Sequence, residues 1–166
     1  MEFFEAVKKR GTVRSYSDKP IPKEDLTKIA ETGRLAPSAR NVEPWEFVAI
    51  TDKEKLSALA SFGENARFVK DAAAAIVVLC KDTKYYLEDG AAATQNMLLA
   101  ATALGIGSCW VAGDKKPYAE EVVSLVGAPK EYKLVSIIAL GYPLDEDEVT
   151  SHPKRGVDEV LHFEKF

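Results

Sequence analysis

Four basic residues stand beside turns near the two ends of the 166-residue chain. Arg10 and Arg14 lie on either side of a Gly-Thr pair, and Lys154 and Arg155 follow a proline. The planar fork of arginine binds phosphate oxygens in pairs, so these groups could converge on one phosphate. Their spacing alone also fits solvated surface charges, and both interpretations stay open at this point.

Motifs of other chemistries are not found in the sequence. His152 and His162 stand apart from any HExxH motif or Cys/His cluster, so no metal site is expected. There is no GxSxG elbow, no GxxxxGK[ST] loop and no GxGxxG after a strand, because the glycines of GIGSCWVAG precede a strand. Cys80 and Cys109 each lie in an apolar run, and we expect both to be small buried core residues.

Hydrophobic periodicity and turn residues predict the elements that position these groups. The segments predicted to be helical are 3–10, 23–36, 53–60, 83–104 and 116–127. The predicted strands are 46–51, 73–80, 107–113 and 134–143. A polar loop rich in Pro, Ser and Asn lies before the first strand, and an irregular stretch precedes the second.

Two segments predict contacts beyond a single chain. The helix 83–104 is apolar on well over half of its circumference, so it must be buried on several sides. A chain of this length cannot easily surround such a helix, and we expect it to pack on its own sheet and on another subunit. The tail 157–166 carries five apolar residues, and we expect it to dock on a neighbouring subunit as well.

The composition indicates one ordinary domain that spans residues 1–166. An apolar content of 46% with 29% charged residues excludes disordered and collagen-like chains. A net charge of −4 without a basic block argues against nucleic-acid binding. The acidic start and the lack of an apolar stretch of about 20 residues predict no signal peptide, no membrane contact and a cytoplasmic location.

Four segments, in this order, resemble the nitroreductase family of FMN-dependent oxidoreductases: KKRGTVRSY, APSARNVEPW, DGAAATQNMLLAATALGIGSCWVAG and HPKRGVDEVLHFEKF. Together they cover nearly the whole chain. The resemblance implies an α+β fold of three layers, α/β/α, around a central, mostly antiparallel mixed sheet. It also implies an intertwined homodimer with two FMN sites at the subunit interface, which agrees with the helix and tail described above.

The same resemblance assigns roles to the basic residues. Arg10, Thr12 and Arg14 match the motif that holds the FMN phosphate, the ribityl chain and the pyrimidine edge. Lys154 and Arg155 match a basic pair on the phosphate. The phosphate interpretation of these side chains is therefore the one that the resemblance favours.

Two further segments match cofactor-binding parts of the family. The loop that reaches the flavin from the partner subunit is matched by Pro37, Ser38, Ala39 and Asn41. The turn whose backbone N–H groups approach flavin N5 is matched by Ala112 and Gly113. The chain departs from the family pattern at Gly11, where many members have a second arginine, and at Ala112, where some have a glutamate.

The resemblance implies that NAD(P)H reduces bound FMN and that a nitroaromatic, quinone or similar acceptor is then reduced at the same place, in a ping-pong cycle. No side chain needs to be a nucleophile, so no catalytic residue is predicted. Four aromatic residues are candidates for walls of the site or for ordinary core packing: Tyr16, Trp45, Trp110 and Tyr118. Another flavin reaction (dehydrogenation, dehalogenation or flavin breakdown) and a non-catalytic flavin-binding or flavin-free dimer remain alternatives.

Overall fold

One antiparallel sheet organises the computed structural model, which describes residues 1–145 and 149–166. Its strands are β1 (Trp45–Ile50), β2 (Ala74–Lys81), β3 (Gly107–Ala112) and β4 (Tyr132–Gly141). The strand order is β1-β2-β4-β3, so the most apolar strands, β2 and β4, lie in the centre. The three pairings among the described residues are all antiparallel.

Within the described residues, five α-helices connect and cover these strands. They are α1 (Phe3–Lys9), α2 (Lys23–Arg34), α3 (Lys53–Ser61), α4 (Tyr86–Ala103) and α5 (Ala119–Leu125). Short 3-10 segments span Ala39–Asn41, Glu64–Asp71 and Val157–Glu159. Local chemistry explains several boundaries: the Asp52 carboxylate accepts the Lys55 N–H at the start of α3, and Gly127 adopts a φ of 70° just after α5.

The sheet is covered on both faces, because successive side chains of a strand point to opposite sides. From β2, Val77 and Leu79 join the apolar cluster formed with α3, α5 and the 64–71 segment. Ile76 and Val78 join the second cluster, formed with α2 and α4. The three-layer α/β/α architecture and the mostly antiparallel sheet expected from the sequence are thus confirmed.

Helix α4 is buried along one side only within the chain. Its buried residues are Asp89, Gly90, Ala93, Thr94, Met97, Leu98 and Ala101. On the opposite side, Gln95 and Ala103 are exposed, and Leu99 is half-buried. The buried side of α4 faces the chain's own sheet and α2. That its other side packs on another subunit stays a prediction.

Both ends of the chain expose apolar side chains. Phe3, Phe4 and Val7 of α1 are exposed, although all three are large and apolar. Residues 151–166 are exposed throughout, so the tail does not pack on its own chain. Among residues 1–145 and 149–166, no helix has the length and apolar character needed to cross a membrane.

Replacing Gly90 of α4 by alanine tests how tightly this helix is held against the sheet. A Cβ atom there would lie 2.6 Å from a methyl group of Val135 and 3.0 Å from the sulfur of Cys80. Alanine favours a helix by about 1 kcal/mol over glycine, but overpacking costs about 1–3 kcal/mol. We expect Gly90→Ala to lower the free energy of unfolding in urea by about 1 kcal/mol.

A double-mutant cycle provides the control. Adding Val135→Ala should remove most of the cost of Gly90→Ala, because the clashing methyl groups are gone. An increase in the free energy of unfolding with Gly90→Ala alone would contradict the close contact between α4 and β4 at this position.

Candidate functional site

A cavity of about 450 Å³ opens beside the outer edge of β3. We call it the β3 cavity. Four parts of the chain line it: the segment after α1, the stretch after α3, strand β3 and the turn before α5. The lining residues are Arg14; Gly63, Glu64, Asn65, Ala66 and Phe68; Cys109, Trp110, Val111 and Ala112; and Lys116 and Tyr118. Two predicted site residues, Arg14 and Ala112, therefore line one cavity although 98 positions separate them.

The edge of β3 supplies backbone groups to this cavity. In an antiparallel pair, the N–H and C=O groups of successive residues face alternately toward and away from the partner strand. The Ser108 carbonyl accepts the Val13 N–H at 3.0 Å, and the Ala112 carbonyl accepts the Tyr118 hydroxyl. Both carbonyls point away from β4, so Trp110, which lies between them, presents its own backbone groups on the same free edge.

The extended segment after α1 carries Arg14 to this edge. The Val13–Ser108 hydrogen bond fixes the segment, and the Tyr16 hydroxyl donates to the Val13 carbonyl at 2.7 Å. Gly107 permits the approach, because a Cβ there would lie 2.8 Å from a Val13 methyl group. Arg14 is the next residue, and its exposed guanidinium lies over the Phe68 ring, 5.8 Å from its centroid.

The two ends of the chain meet beside Arg14. Thr12 and Thr150 form an isolated antiparallel bridge, with two backbone hydrogen bonds of 2.9 Å. Lys154 and Arg155 follow a few residues later, and both are exposed. The bridge thus connects the N-terminal basic motif to the segment that leads into the C-terminal pair.

The four basic side chains singled out in the sequence are not paired with a carboxylate in the part of the chain that the structure describes. Within the described residues, Arg10, Arg14, Lys154 and Arg155 form no salt bridge. By contrast, Arg34 and Arg67 are each paired with a glutamate on their own helical segment. Cations without a salt bridge among the described residues are available for an anionic group.

The glycine at position 11 has a steric cause. A Cβ on Gly11 would lie 2.3 Å from a Val149 methyl group and 3.1 Å from the Thr150 carbonyl oxygen. An arginine here would have to displace Val149. Val149 and Thr150, at the Thr12–Thr150 bridge, therefore occupy the space that the Cβ atom of an arginine at position 11 would need.

The turn after β3 presents a free donor. Gly113 is buried, and a Cβ on it would lie 2.5 Å from Cγ of Leu134, so only glycine fits. The next N–H, of Asp114, bonds to the Val135 carbonyl at 3.3 Å. The Gly113 N–H makes no hydrogen bond within the described residues. Gly113 is not among the described residues that line the β3 cavity.

The loop of Pro37, Ser38, Ala39 and Asn41 lies elsewhere. None of these residues lines the β3 cavity of its own chain. The loop is held against α4, because the Ala39 N–H donates to the buried Asp89 carboxylate at 2.9 Å. Its shape is unusual, since Arg40, Asn41 and Glu43 all have positive φ. The hydroxyl of Ser38 supports it by accepting the Glu43 N–H at 2.9 Å.

The aromatic candidates fall into two groups. Trp110 and Tyr118 line the β3 cavity, whereas Tyr16 and Trp45 are core residues. Phe68 and Asn65 also line the cavity, and the sequence pattern predicted a role for neither. Both belong to the 3-10 segment Glu64–Asp71, whose buried residues are Ala66 and Val69.

Cys109 also borders the cavity but is not suited to be a nucleophile. Its side chain is buried, and burial raises the pKa of the thiol, although Arg14 opposes the shift. Burial, with a contribution from Asp89, raises the pKa of Cys80 to about 12. Both thiols stay protonated at neutral pH, which agrees with the core role expected for them.

Comparison with known proteins places this chain among oxidoreductases. A family model described as "Putative TM nitroreductase" matches residues 2–166. A protein of Archaeoglobus fulgidus named "Putative NADH dehydrogenase/NAD(P)H nitroreductase" is 36% identical over 165 residues, which are 95% of this chain and 94% of the relative.

Solved structures agree with this match. A crystal structure with the same name, from Parabacteroides distasonis, is 32% identical and has a TM-score of 0.90 over 99% of this chain and 98% of the other. An FMN-dependent nitroreductase from Clostridium difficile is 30% identical, with a TM-score of 0.88 over 98% and 99%. The chain belongs to the nitroreductase family, and it is an oxidoreductase enzyme.

Asp89 provides a test of how the Ser38–Asn41 loop is held. We expect Asp89→Ala to speed tryptic cleavage after the exposed Arg40 by about tenfold or more, because a hydrogen bond to a charged group is worth about 1.5–3 kcal/mol. The measurement is mass spectrometry of the early fragments. Glu88→Ala, which changes an exposed neighbour on α4, is the control. Equal cleavage of both variants would show that Asp89 does not hold the loop.

Proposed function

We propose that this protein is an FMN-dependent enzyme that takes hydride from NAD(P)H and reduces nitroaromatic, quinone or similar small-molecule acceptors. The family match and the names of its relatives support this reaction more than another flavin reaction or a non-catalytic flavin-binding role. The observation that carries the proposal is the β3 cavity, where aromatic walls, the open edge of β3 and an arginine without a salt bridge among the described residues lie together.

The chemistry of the residues around this cavity fits an FMN. The flavin ring is flat and largely apolar, and Trp110, Phe68 and Val111 offer apolar surface. Its polar edge needs hydrogen-bonding groups, and the open edge of β3 presents the backbone groups of Trp110. Its phosphate needs cations, and none of the four basic side chains is engaged in a salt bridge among the described residues.

We assign the binding roles accordingly. The basic residues Arg10, Arg14, Lys154 and Arg155 hold the phosphate and pyrimidine edge, together with Thr12. Backbone groups of Ala112 and Gly113 bind the ring. The partner's loop completes the site through four residues: Pro37, Ser38, Ala39 and Asn41.

A homodimer follows from this assignment, because that loop does not line the cavity of its own chain. Two exposed apolar surfaces, α1 and the tail, support the dimer. Such surfaces are rare on monomers, and obligate dimers commonly bury more than about 2,000 Å². We propose that each chain is a single domain whose cofactor site is completed only in the dimer.

Bound FMN would supply the hydride chemistry by accepting hydride from NAD(P)H and returning it to the acceptor. The chain's own contribution is binding, orientation and exclusion of water. The cations anchor the phosphate, and backbone N–H groups at the edge of β3 stabilise negative charge on the ring. Ala112 offers no acid at the turn, so we propose water as the proton source. We also propose a cytoplasmic location, with which the two free, buried cysteines agree.

The basic residues give the first test of this proposal. We expect Arg14→Ala and Arg155→Ala to weaken FMN binding about 10- to 150-fold each, because each loses a charge-assisted hydrogen bond of about 1.5–3 kcal/mol. Quenching of FMN fluorescence measures the affinity. Arg14→Lys should recover part of the loss, because the paired fork is missing.

Arg34→Ala is the matched control, since Arg34 is exposed but paired with Glu31 on α2. It should bind FMN like the wild type. Light scattering should give twice the chain mass of 18.2 kDa for all variants, which shows that dimers persist. Wild-type affinity in both alanine variants would mean that the phosphate lies elsewhere.

Steady-state kinetics give the second test. One cavity must serve NAD(P)H and the acceptor in turn, so double-reciprocal plots at several acceptor concentrations should be parallel lines. Intersecting lines would instead indicate a ternary complex and a second substrate pocket, and they would contradict the ping-pong proposal.

A further inference from the structure

Arg14 is an exposed cation that rests on an aromatic ring. The central carbon of its guanidinium lies 5.8 Å from the centroid of the Phe68 ring, within the range of a cation–π contact. Both side chains line the β3 cavity. The backbone before Arg14 is fixed by the Val13–Ser108 hydrogen bond, so the remaining freedom lies in the long side chain. The contact with the ring restricts that freedom.

The Phe68 ring is itself anchored to the core of the chain. It belongs to the 3-10 segment Glu64–Asp71, whose residues Ala66 and Val69 are buried. The Ala66 N–H donates to the Gly63 carbonyl at 2.9 Å and fixes the start of the segment. The ring is half-buried and packs against the apolar cluster that α3 and α5 share. A guanidinium that rests on this ring is therefore supported by the core.

The chemistry of this support leaves the arginine charge available. A carboxylate would neutralise a guanidinium and occupy its N–H donors, whereas an aromatic face attracts the cation through its quadrupole. Glu64 also lines the cavity, but its carboxylate forms a salt bridge of 3.1 Å with Arg67. Within the described residues, the charge and the N–H donors of Arg14 thus remain free for an anionic or electron-rich ligand.

We propose that Phe68 is a positioning residue that orients the Arg14 guanidinium for the FMN before the cofactor binds. This inference rests on the proposed FMN site. Ordering a long, flexible side chain during binding lowers the affinity, and a side chain that is ordered in advance avoids that loss. Beyond the apolar surface that it offers the flavin, Phe68 should therefore raise the affinity for FMN through Arg14.

The decisive variant is Phe68→Leu, which keeps an apolar side chain on the cluster but removes the aromatic face. We expect FMN binding to weaken about twofold to fivefold, because the attraction between an exposed arginine and an aromatic ring is modest. Phe68→Tyr keeps the ring and should recover most of the affinity. Quenching of FMN fluorescence measures the dissociation constants.

A double-mutant cycle shows whether the ring acts through the arginine. In the Arg14→Ala background, Phe68→Leu should cause no further loss of FMN affinity, because the group that the ring positions is gone. The same loss in both backgrounds would mean that the ring acts on the cofactor directly or on the fold, and it would overturn the inference.

Phe47→Leu is the matched control for the loss of an aromatic ring. Phe47 is a half-buried phenylalanine of β1 that packs on the other apolar cluster and does not line the β3 cavity. This variant should bind FMN like the wild type. A loss of affinity in Phe47→Leu as large as in Phe68→Leu would indicate a general effect on the fold, and it would overturn the inference as well.

NMR of the wild-type protein without FMN gives a second test that needs no variant. Nuclear Overhauser contacts between the ring protons of Phe68 and the side-chain protons of Arg14 should be present before the cofactor is added. Their absence would show that the arginine is not ordered in advance, which contradicts the inference.

The outcomes separate this inference from the proposed function. A wild-type protein that binds no FMN, or an Arg14→Ala variant with wild-type affinity, would refute the proposed site and this inference with it. A loss of FMN affinity in Arg14→Ala with none in Phe68→Leu would refute the inference alone.

Discussion

The open edge of β3 is the constraint on which the rest of the site depends. An edge strand exposes a row of N–H and C=O groups that must find partners or remain available. Here the two ends of that row are closed by other parts of the chain, Val13 at Ser108 and Tyr118 at Ala112. The stretch between them stays open and borders the cavity. Edge groups that would otherwise invite another strand are thereby reserved for a ligand.

Close backbone approach makes this arrangement possible. Because they lack a Cβ atom, Gly107 packs directly against Val13, Gly113 against Leu134, and Gly11 against Val149. In each case a Cβ atom would come within 3 Å of a side-chain carbon, so the glycine is required by packing rather than by φ. The N-terminal basic segment, β3 and the segment after β4 consequently lie close enough together to form one site. This packing also explains the glycine at position 11.

The sequence predicted the strands and helices well because alternation and helical periodicity report burial directly, whereas the three-layer arrangement was implied by the family resemblance. The continuous apolar run that became β2 and the long apolar helix that became α4 are examples. Boundaries moved by a few residues: β4 begins at Tyr132, and α5 begins at Ala119, after the turn that contains Tyr118. The sequence also pointed to Arg14 and Ala112, which line one cavity. That conclusion came from the resemblance to a family, since spacing alone left the basic residues ambiguous.

Other parts of the site could not be predicted from periodicity. Phe68 belongs to a 3-10 segment, and the hydroxyl of Tyr118 acts on a carbonyl six residues away through a turn. Neither contact leaves a repeating pattern in the sequence. The Pro37–Asn41 loop and the tail remain predictions for a physical reason as well, because their proposed partners are on another subunit. Contacts between chains depend on surfaces whose complementarity is not encoded in local hydrophobic patterns.

The central claim is that the β3 cavity holds an FMN that NAD(P)H can reduce. The most direct measurement is an anaerobic titration of the purified protein, loaded with FMN, while its visible absorption is recorded. The account predicts that a stoichiometric amount of NADH or NADPH bleaches the flavin band and that a quinone added afterwards restores it. A protein that is colourless after incubation with excess FMN and removal of the free cofactor would contradict this claim. A bound flavin whose spectrum neither nucleotide changes would contradict it as well.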